Sequence, residues 1–382
     1  MIDYCGKSEQ GLYPSQLLIQ AMKGRGAVSN LQGRYELQVR ESFDDGWSTN
    51  DTDPPPRLKT EVTAENAKRI LTRNASPDLP FHVSLNPYLG CEHGCIYCFA
   101  RPSHSYLGLS PGLDFESRIF AKLNAPQLLR HELSQPSYVP EPIALGVNTD
   151  GYQPCERELR LTRRVLEVLH ECEHPVALIT KSSLIERDID LLASMAAKRQ
   201  AAVAVTITTL DPAIACTLEP RASAPQRRLR TIRTLTEAGI PVGVSIAPVI
   251  PFITEPDLER VLTAAAEAGA VNASYIVLRL PWEVNPLFQQ WLQAHFPERA
   301  QRVMNRIRDM RGGKDYDATF GSRMKGDGVW ANLIRQRFEK TVTRLGIGKR
   351  SESFRALDIS RFRRPKPISA QAGAGEGQLD LF

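Results

Sequence analysis

The chain has 382 residues with a formal net charge of +5, and 42% of its residues are hydrophobic. This length suggests about two domains of ordinary size, and the composition excludes a disordered, collagen-like or disulfide-rich protein. The longest apolar run, residues 240–253, contains three prolines and is shorter than the roughly 20 residues of a spanning helix, so no membrane span is predicted. The first ten residues lack the features of a secretory signal. We therefore expect a cytoplasmic protein whose seven cysteines are thiols.

Six apolar, β-branched runs alternate with helical patterns through the middle of the chain. The runs are residues 81–85, 143–147, 176–180, 202–210, 242–250 and 275–280. Residues 156–169 and 225–238 have the apolar spacing of helices, and Gly239 supplies a helix stop. Strands joined by helical crossovers predict an α/β fold with a parallel sheet. Six such units predict a partial (βα)6 TIM-like barrel with its chemistry at the carboxyl ends of the strands.

Four regions are predicted along the chain. They are an N-terminal extension (1–75), a barrel core (76–300), a basic C-terminal helical region (301–366) and a flexible tail (367–382). The basic region holds 18 Lys and Arg against 7 Asp and Glu, a balance of +11, whereas the rest of the chain carries −6. Such a concentration of charge favours a DNA-binding surface through residues 301–366. The alternative is a set of solvated helices whose arginines pair locally.

Three cysteines stand close together just after the first predicted strand. Cys91, Cys95 and Cys98 are separated by three and then two residues. Thiolates at this spacing suit zinc or an iron–sulfur cluster. A structural zinc site would need a fourth ligand, which would come from His93, His104 or Cys155. A cubane cluster on three cysteines would instead leave one iron open to a small molecule.

The cysteine motif resembles the signature of the radical S-adenosylmethionine (radical SAM) superfamily. That signature has an aromatic residue just before the last cysteine, and Tyr97 stands there in this chain. The resemblance implies a 4Fe-4S cluster ligated by Cys91, Cys95 and Cys98, with Tyr97 against the adenine of S-adenosylmethionine. It further implies reductive cleavage of S-adenosylmethionine to methionine and a 5′-deoxyadenosyl radical, with an electron donor such as flavodoxin or ferredoxin.

Two further segments are similar to the spore photoproduct lyase-like branch of this superfamily. Residues 146–156 follow the second strand, and residues 180–183 follow the third. The resemblance implies that Thr149 and Lys181 bind the carboxylate of S-adenosylmethionine, with Asp150 and Ser182 beside the cofactor. A helix N-cap at Thr149-Asp150 and a solvated lysine at position 181 are the structural alternatives.

The fourth and fifth strands carry weaker candidates for cofactor contacts. The resemblance implies that Thr206 or Thr208 faces the ribose or carboxylate, and that the backbone near Ala247 meets the adenine. Strand propensity explains the threonines nearly as well. In the following segment, Arg221 is a candidate for contacting an anionic group, with a loop before a helix as the alternative.

The resemblance covers about residues 80–285 and departs from the branch at one important position. Spore photoproduct lyase has a hydrogen-donating cysteine just ahead of its Ser-Asp pair, where this chain has Val147 or Asn148. Cys155 is a weak candidate for a catalytic substitute, and a small buried residue is the alternative reading. The resemblance therefore does not extend to the thymine-dimer reaction.

The last residues form a second motif of a different kind. Residues 369–377 are mostly small, a composition that predicts a flexible tether, and they lead into Gln378, Leu379, Asp380, Leu381 and Phe382. This pentapeptide is similar to the motif with which bacterial repair proteins bind the sliding clamp. The favoured hypothesis is a radical SAM enzyme acting on DNA or a nucleic-acid-associated substrate. The alternative is a DNA- and clamp-binding protein with a structural metal site.

Overall fold

A computed structural model describes residues 24–36, 58–349 and 356–366 of the protein. The predicted tail (367–382), with its clamp motif, lies outside these ranges. Within them, no helix combines the length and the apolar character needed to cross a membrane.

One large sheet organises the described part of the chain. In spatial order its strands are β11 (Gly348–Lys349), β10 (Asn272–Val277), β9 (Val242–Val249), β8 (Ala201–Thr206), β7 (Val176–Thr180), β6 (Ile143–Leu145), β3 (Val83–Leu85) and β2 (Leu71–Arg73). Neighbouring strands are parallel, except that β2 runs antiparallel to β3. A smaller sheet contains β1 (Glu61–Glu65), β5 (Arg118–Lys122) and β4 (Tyr88–Leu89).

Helices cover the large sheet and connect its strands. They are α1 (Leu113–Ser117), α2 (Ala125–Ser134), α3 (Glu156–Leu159), α4 (Leu161–Glu171), α5 (Ile189–Ala196), α6 (Pro212–Leu218), α7 (Pro225–Glu237), α8 (Leu258–Glu267), α9 (Val284–His295), α10 (Pro297–Asp309), α11 (Ser322–Lys325) and α12 (Gly328–Leu345). Short 3₁₀ helices occur at Arg101–Leu107, Ser183–Asp188 and Glu255–Asp257. The inner strands are buried on both faces, which explains their continuous apolar sequences.

The predicted α/β fold with a partial barrel is confirmed. All six predicted strands are present and parallel, in the predicted order, and the sheet gains β11 at one edge and β2 at the other. Several boundaries differ from the prediction. The run 202–210 leaves the sheet after Thr206, because Thr209 Oγ1 and Leu210 N both donate to the carboxylate of Asp257. Thr208 therefore lies beyond the strand and not on it.

The predicted helix 156–169 is in fact two helices. Arg160 adopts a left-handed conformation, with φ of 51°, and separates α3 from α4. The buried Glu156 carboxylate accepts a hydrogen bond from Thr162 N at 3.0 Å and thus binds a free N–H at the start of α4. The same carboxylate accepts from Tyr88 Oη and pairs with Arg187 at 2.7 Å.

The basic C-terminal region packs onto the core instead of standing apart from it. Residue 300 lies inside α10, which shares a hydrophobic core with α9 and residues 95–97. Many of its arginines have carboxylate partners: Arg306 with Asp309, Arg308 with Asp315, Arg323 with Asp78, Arg337 with Glu255 and Glu259, Arg361 with Asp358, and Arg363 with Glu173. Among the described residues, six of the 18 basic residues of this region are therefore paired with carboxylates, three within the region and three on the core, so local pairing accounts for only part of its charge.

Candidate cofactor site

The predicted site residues follow the carboxyl ends of adjacent parallel strands. Residues 86–100, here called the cysteine loop, come after β3, Thr149 and Asp150 come after β6, and Lys181 comes after β7. Parallel strands bring these ends to one edge of the sheet, where α/β proteins place their chemistry. The fold thus gathers residues that are about 90 positions apart in the sequence.

The cysteine loop buries its thiols. Cys91 and Cys95 are 7% and 8% exposed, and Cys98 is half-buried. Burial raises the pKa of Cys91 well above its usual value and that of Cys95 to about 12, although Lys181 opposes the shift at Cys95. A bound iron–sulfur cluster would offset this cost, because iron stabilises thiolates. In the described ranges, no three His, Cys, Asp or Glu side chains are grouped as a single metal ion would require.

A fully buried arginine holds the cysteine loop in shape. Arg101 donates from Nε to Cys95 O at 2.9 Å and from Nη2 to Gly94 O at 3.0 Å. Its Nη2 also pairs with Glu116 Oε1 at 2.5 Å, and both side chains are completely buried. Gly94 has φ of 66°, a left-handed conformation that suits glycine at this turn. Arg101 therefore ties the turn between two cysteines to α1.

Residues 24–27 contact the same loop from the other side. The backbone N–H groups of Gly26 and Ala27 donate to the Glu116 carboxylate at 2.9 and 2.8 Å. A Cβ atom added to Gly26 would lie 1.9 Å from Gly94 O, so only glycine permits this approach. Arg25 donates to Glu116 O at 2.6 Å. This contact was not foreseen from the sequence, which assigned these residues to an N-terminal extension.

Hydrogen bonds join the cysteine loop to the loop after β6. Asn86 Oδ1 accepts from the backbone of Thr149 at 3.4 Å, and Thr149 Oγ1 donates to Tyr88 O at 2.9 Å. Gln153 Oε1 accepts from Glu92 N at 2.8 Å. Since the Thr149 hydroxyl donates its proton within the chain, it retains only acceptor capacity for a ligand.

Asp150 is fully engaged by the protein. Its carboxylate accepts from Thr180 Oγ1 at 2.8 Å, Tyr152 N at 2.9 Å and Lys181 N at 2.8 Å, and it lies 3.3 Å from His93 Nδ1. Burial opposes ionisation, but His93 and the backbone donors outweigh it and lower the pKa of Asp150 to about 2. Asp150 thus fixes the backbone of Lys181.

Lys181 stands beside the cysteine loop. Its ammonium lies 5.7 Å from the centre of the Tyr97 ring. Burial lowers the pKa of Lys181, but the nearby Cys95 and Glu219 raise it by more, so the net shift is upward and the side chain stays charged. A charged lysine next to buried thiols provides a point charge for an anionic group at this edge of the sheet.

Glu219 and Arg228 form a buried ion pair that was missed in the sequence. Glu219 Oε2 lies 2.5 Å from Arg228 Nη2, and Glu219 Oε1 accepts from the hydroxyl of Tyr97. Arg228 Nη1 also donates to Thr206 O at 3.0 Å. The one available sequence signal was an isolated Glu ahead of an arginine-rich segment. The candidate in that segment, Arg221, is instead paired with the buried Glu92 at 3.0 Å.

The remaining predicted residues also lie at this edge of the sheet, and they differ in burial and in hydrogen bonding. Ser182 Oγ accepts from Leu184 N at 3.2 Å and caps a 3₁₀ helix. Thr206 ends β8 and is buried, and Ala247 is half-buried near the end of β9. Thr208 Oγ1 is buried and has no hydrogen-bond partner. Such a hydroxyl needs a partner, and a bound ligand would supply it.

Cys155, the weak catalytic candidate, packs against a small apolar cluster. The cluster consists of Tyr88, Ile119, Ala121 and Leu161. Burial and the neighbouring Glu92 raise the pKa of the Cys155 thiol, which keeps it protonated. These surroundings match the alternative of a small buried residue.

The ligand set predicts a sharp division among the cysteines. We expect Cys91→Ser, Cys95→Ser and Cys98→Ser each to abolish cluster assembly. The loop supplies three cysteine ligands, and the proposed cluster needs all of them. Cys155→Ser and Cys172→Ser are matched controls at buried or half-buried positions, and they should retain the cluster. The amount of cluster in each variant is measured by iron and sulfide analysis and by visible absorbance after anaerobic reconstitution. Equal iron contents in all five variants would contradict the assignment.

The buried ion pair predicts a separate effect on cofactor binding. Glu219→Gln leaves the buried Arg228 without its ion-pair partner and disturbs the position of the Tyr97 ring, so it should weaken S-adenosylmethionine binding by about tenfold, or roughly 1.4 kcal/mol. Iron content should not change, because Glu219 is not a proposed ligand. Equilibrium dialysis measures the affinity, with Glu186→Gln, which removes the partner of Arg227 on an adjacent surface, as the control. Unaltered affinity in folded Glu219→Gln would refute this role.

Known proteins resemble this chain in sequence and in fold. A family model described as the radical SAM superfamily matches residues 85–265. An uncharacterised protein of Mycobacterium tuberculosis is 38% identical over 244 residues, which is 63% of this chain and 71% of the relative. One from Methanocaldococcus jannaschii is 25% identical over 65% of this chain and 88% of its own length.

The fold is similar to that of spore photoproduct lyase complexed with dinucleoside spore photoproduct. The TM-score is 0.55 at 13% identity, over 75% of this chain and 81% of the lyase. At this identity the likeness concerns the fold. Together with the family match and the cysteine loop, it confirms the resemblance found in the sequence: the chain belongs to the radical SAM superfamily and is a radical SAM enzyme.

Proposed function

We propose that this radical SAM enzyme acts on DNA, or on a substrate bound to DNA, in a repair-like reaction. Cys91, Cys95 and Cys98 would hold a 4Fe-4S cluster, and the adjacent strand ends would hold S-adenosylmethionine. When bound, these groups supply reductive cleavage of a sulfonium bond and abstraction of a hydrogen atom from the substrate. The observation that carries the proposal is the position of Lys181 beside the Tyr97 ring and the buried Cys95, at the edge where the loops meet.

The surrounding side chains have distinct tasks in this proposal. Lys181 binds the carboxylate of S-adenosylmethionine, while Asp150 holds the lysine backbone in place. Thr149 accepts a hydrogen bond from the amino group, since its own proton is donated to Tyr88 O. Glu219 orients the Tyr97 ring through its hydroxyl. This differs from the initial hypothesis, in which Thr149 also binds the carboxylate.

Other predicted contacts complete the cofactor site. Thr208 has a buried hydroxyl without a partner and is favoured over Thr206 for a ribose or carboxylate oxygen. The backbone at Ala247 is proposed for adenine. Ser182 acts by capping the 3₁₀ helix that follows Lys181. Burial of Cys91 and Cys95 excludes water from the ligands.

Three observations support a nucleic acid as the substrate. The region 301–366 retains a positive balance although many of its arginines are paired. The pentapeptide at 378–382 is similar to a clamp-binding motif. The structurally similar spore photoproduct lyase forms a complex with a dinucleoside. A DNA- and clamp-binding protein with a structural metal site is the competing function, and zinc without visible cluster absorbance would favour it.

Turnover with deuterated nucleic acid tests the proposal. Reconstituted enzyme with dithionite and S-adenosylmethionine should form 5′-deoxyadenosine faster in the presence of lesion-containing DNA than with undamaged DNA of the same sequence. Deuterium from the substrate should enter 5′-deoxyadenosine, because the substrate donates the hydrogen. If neither DNA nor RNA increases the rate or transfers deuterium, the nucleic-acid substrate is rejected.

We further propose that the enzyme works in the cytoplasm, where thiols stay reduced, with flavodoxin or ferredoxin as its electron donor and the sliding clamp as its partner. Residues Gln378, Leu379, Asp380, Leu381 and Phe382 would bind the clamp.

Deletion of residues 378–382 should abolish co-elution with the clamp in size-exclusion chromatography, because the apolar anchors are removed. Replacing Gln378 and Phe382 with alanine at full length is the matched variant and should have the same effect. Co-elution that survives both changes would overturn the clamp assignment.

A further inference from the structure

An exposed aromatic ring and a cation stand together at the end of the cysteine loop. Phe99 follows Cys98 directly and is 44% exposed, which is unusual for a phenylalanine in an otherwise buried loop. The guanidinium of Arg279, two residues beyond the end of β10, lies 5.5 Å from the centre of the Phe99 ring. Both side chains are thus presented at the edge of the sheet that carries the cofactor site.

Arg279 differs from the arginines that stabilise the C-terminal region. Its Nη2 donates to Tyr316 Oη at 3.4 Å and its Nη1 contacts Met324 Sδ at 3.6 Å. Its buried Nε has no hydrogen-bond partner, and Arg279 forms no ion pair within the described ranges. By contrast, the neighbouring Arg323 makes two bonds of 2.6 Å to Asp78. The positive charge at Arg279 is therefore available to an external anion.

A second, buried arginine strengthens the positive potential at this point. Arg311 is 4% exposed, and its Nη2 donates to Leu278 O at 2.8 Å. Its Nε is also buried without a partner. Burial and then the charge of Arg279 lower the pKa of Arg311, while Asp317 and Asp327 partly compensate. Two close cations create a positive potential that an anionic ligand on the accessible Arg279 guanidinium would neutralise.

Two further ring and arginine pairs are exposed in other segments of the chain. Phe320 is 55% exposed with the Arg323 guanidinium 4.6 Å from its centre, and Trp282 is 60% exposed with that of Arg34 at 4.3 Å. Both of these arginines are themselves paired with carboxylates, so they contribute stacking surface more than charge. Alternating rings and cations are typical of surfaces that bind single-stranded nucleic acid.

We propose that Phe99 and Arg279 bind an unpaired nucleotide of the substrate, with the base stacked on the Phe99 ring and a phosphate on the Arg279 guanidinium. A nucleotide offers both an aromatic face and an anion, and it therefore matches both side chains, whereas an acidic protein surface would match only the arginine. This inference rests on the proposed nucleic-acid substrate. It adds the residues that present the strand to the site beside Cys98.

Fluorescence anisotropy of a short labelled oligodeoxythymidylate on the reconstituted enzyme tests the inference. Arg279→Gln should weaken binding by about tenfold and reduce the slope of log affinity against log salt by about 0.7, the value for one phosphate on a single strand. Arg260→Gln is the charge-matched control on an exposed part of α8 and should not alter the slope. Arg279→Lys should keep the salt slope.

Phe99 should affect affinity without affecting the salt dependence. Phe99→Leu should weaken binding by at least about fivefold with the wild-type slope, because stacking is lost and charge is not. Phe99→Tyr should retain affinity, since its ring still stacks. Iron content and visible absorbance verify that each variant has assembled its cluster. An oligoribonucleotide of matching sequence distinguishes DNA from RNA as the source of the nucleotide.

The outcomes separate this inference from the function on which it rests. If the wild type binds and processes nucleic acid but Arg279→Gln and Phe99→Leu bind equally well, the inference is overturned and the function stands. If the variants bind normally but ferredoxin reduces them more slowly, the surface serves a protein partner and the inference is again overturned. If the wild type binds neither oligonucleotide, the proposed substrate and this site are both rejected.

Discussion

The buried ion pair between Arg101 and Glu116 is the interaction on which the cofactor site depends. Both side chains are completely buried, and each also binds backbone: Arg101 on the cysteine loop and Glu116 at Gly26 and Ala27. Removal of one partner from such a pair leaves an uncompensated charge in the interior, which costs about 3–5 kcal/mol. The loop between the cysteines is therefore held by electrostatics as much as by packing. Residues 24–27 are part of the same unit, since their N–H groups satisfy the remaining carboxylate oxygens.

A second charged network connects the loop to the strand ends. Lys181, Glu219 and Arg228 carry one negative and two positive charges, and Tyr97 joins them through its hydroxyl. In a low-dielectric interior these groups stabilise one another strongly, and an anionic ligand would balance the excess positive charge. The carboxylate of S-adenosylmethionine fits that requirement. The buried charges of this network are thus consistent with the binding of S-adenosylmethionine proposed for the site.

Part of the positive charge of the C-terminal region docks that region onto the core. Three of its six paired arginines among the described residues, Arg323 in α11, Arg337 in α12 and Arg363 in the following segment, dock onto the core, through carboxylates as distant in sequence as Asp78. Charge counting alone therefore overstates the surface available to a polyanion. Arg279, which lies outside that region, has no carboxylate partner in the described ranges and adjoins the site. For binding a polyanion, the position of each cation and the presence of a neutralising carboxylate matter more than the net charge of the region.

The sequence by itself determined the class of fold, the strand order and the ligand spacing, because these depend on local periodicity and on residues within one loop. It also indicated Lys181, which directly follows β7, and Asp150, which lies in the loop after β6. Only the tertiary structure decided the partners of these residues. Glu219 meets Tyr97 across 122 positions, and Glu116 meets Gly26 across 90, and such pairs produce no local pattern. Hydrogen bonds formed only in the folded chain likewise decided three local features. They are the donor role of the Thr149 hydroxyl, the break at Arg160 and the end of β8 at Thr206. Buried polar groups must find partners wherever the fold brings them, and that requirement cannot be read from sequence neighbours.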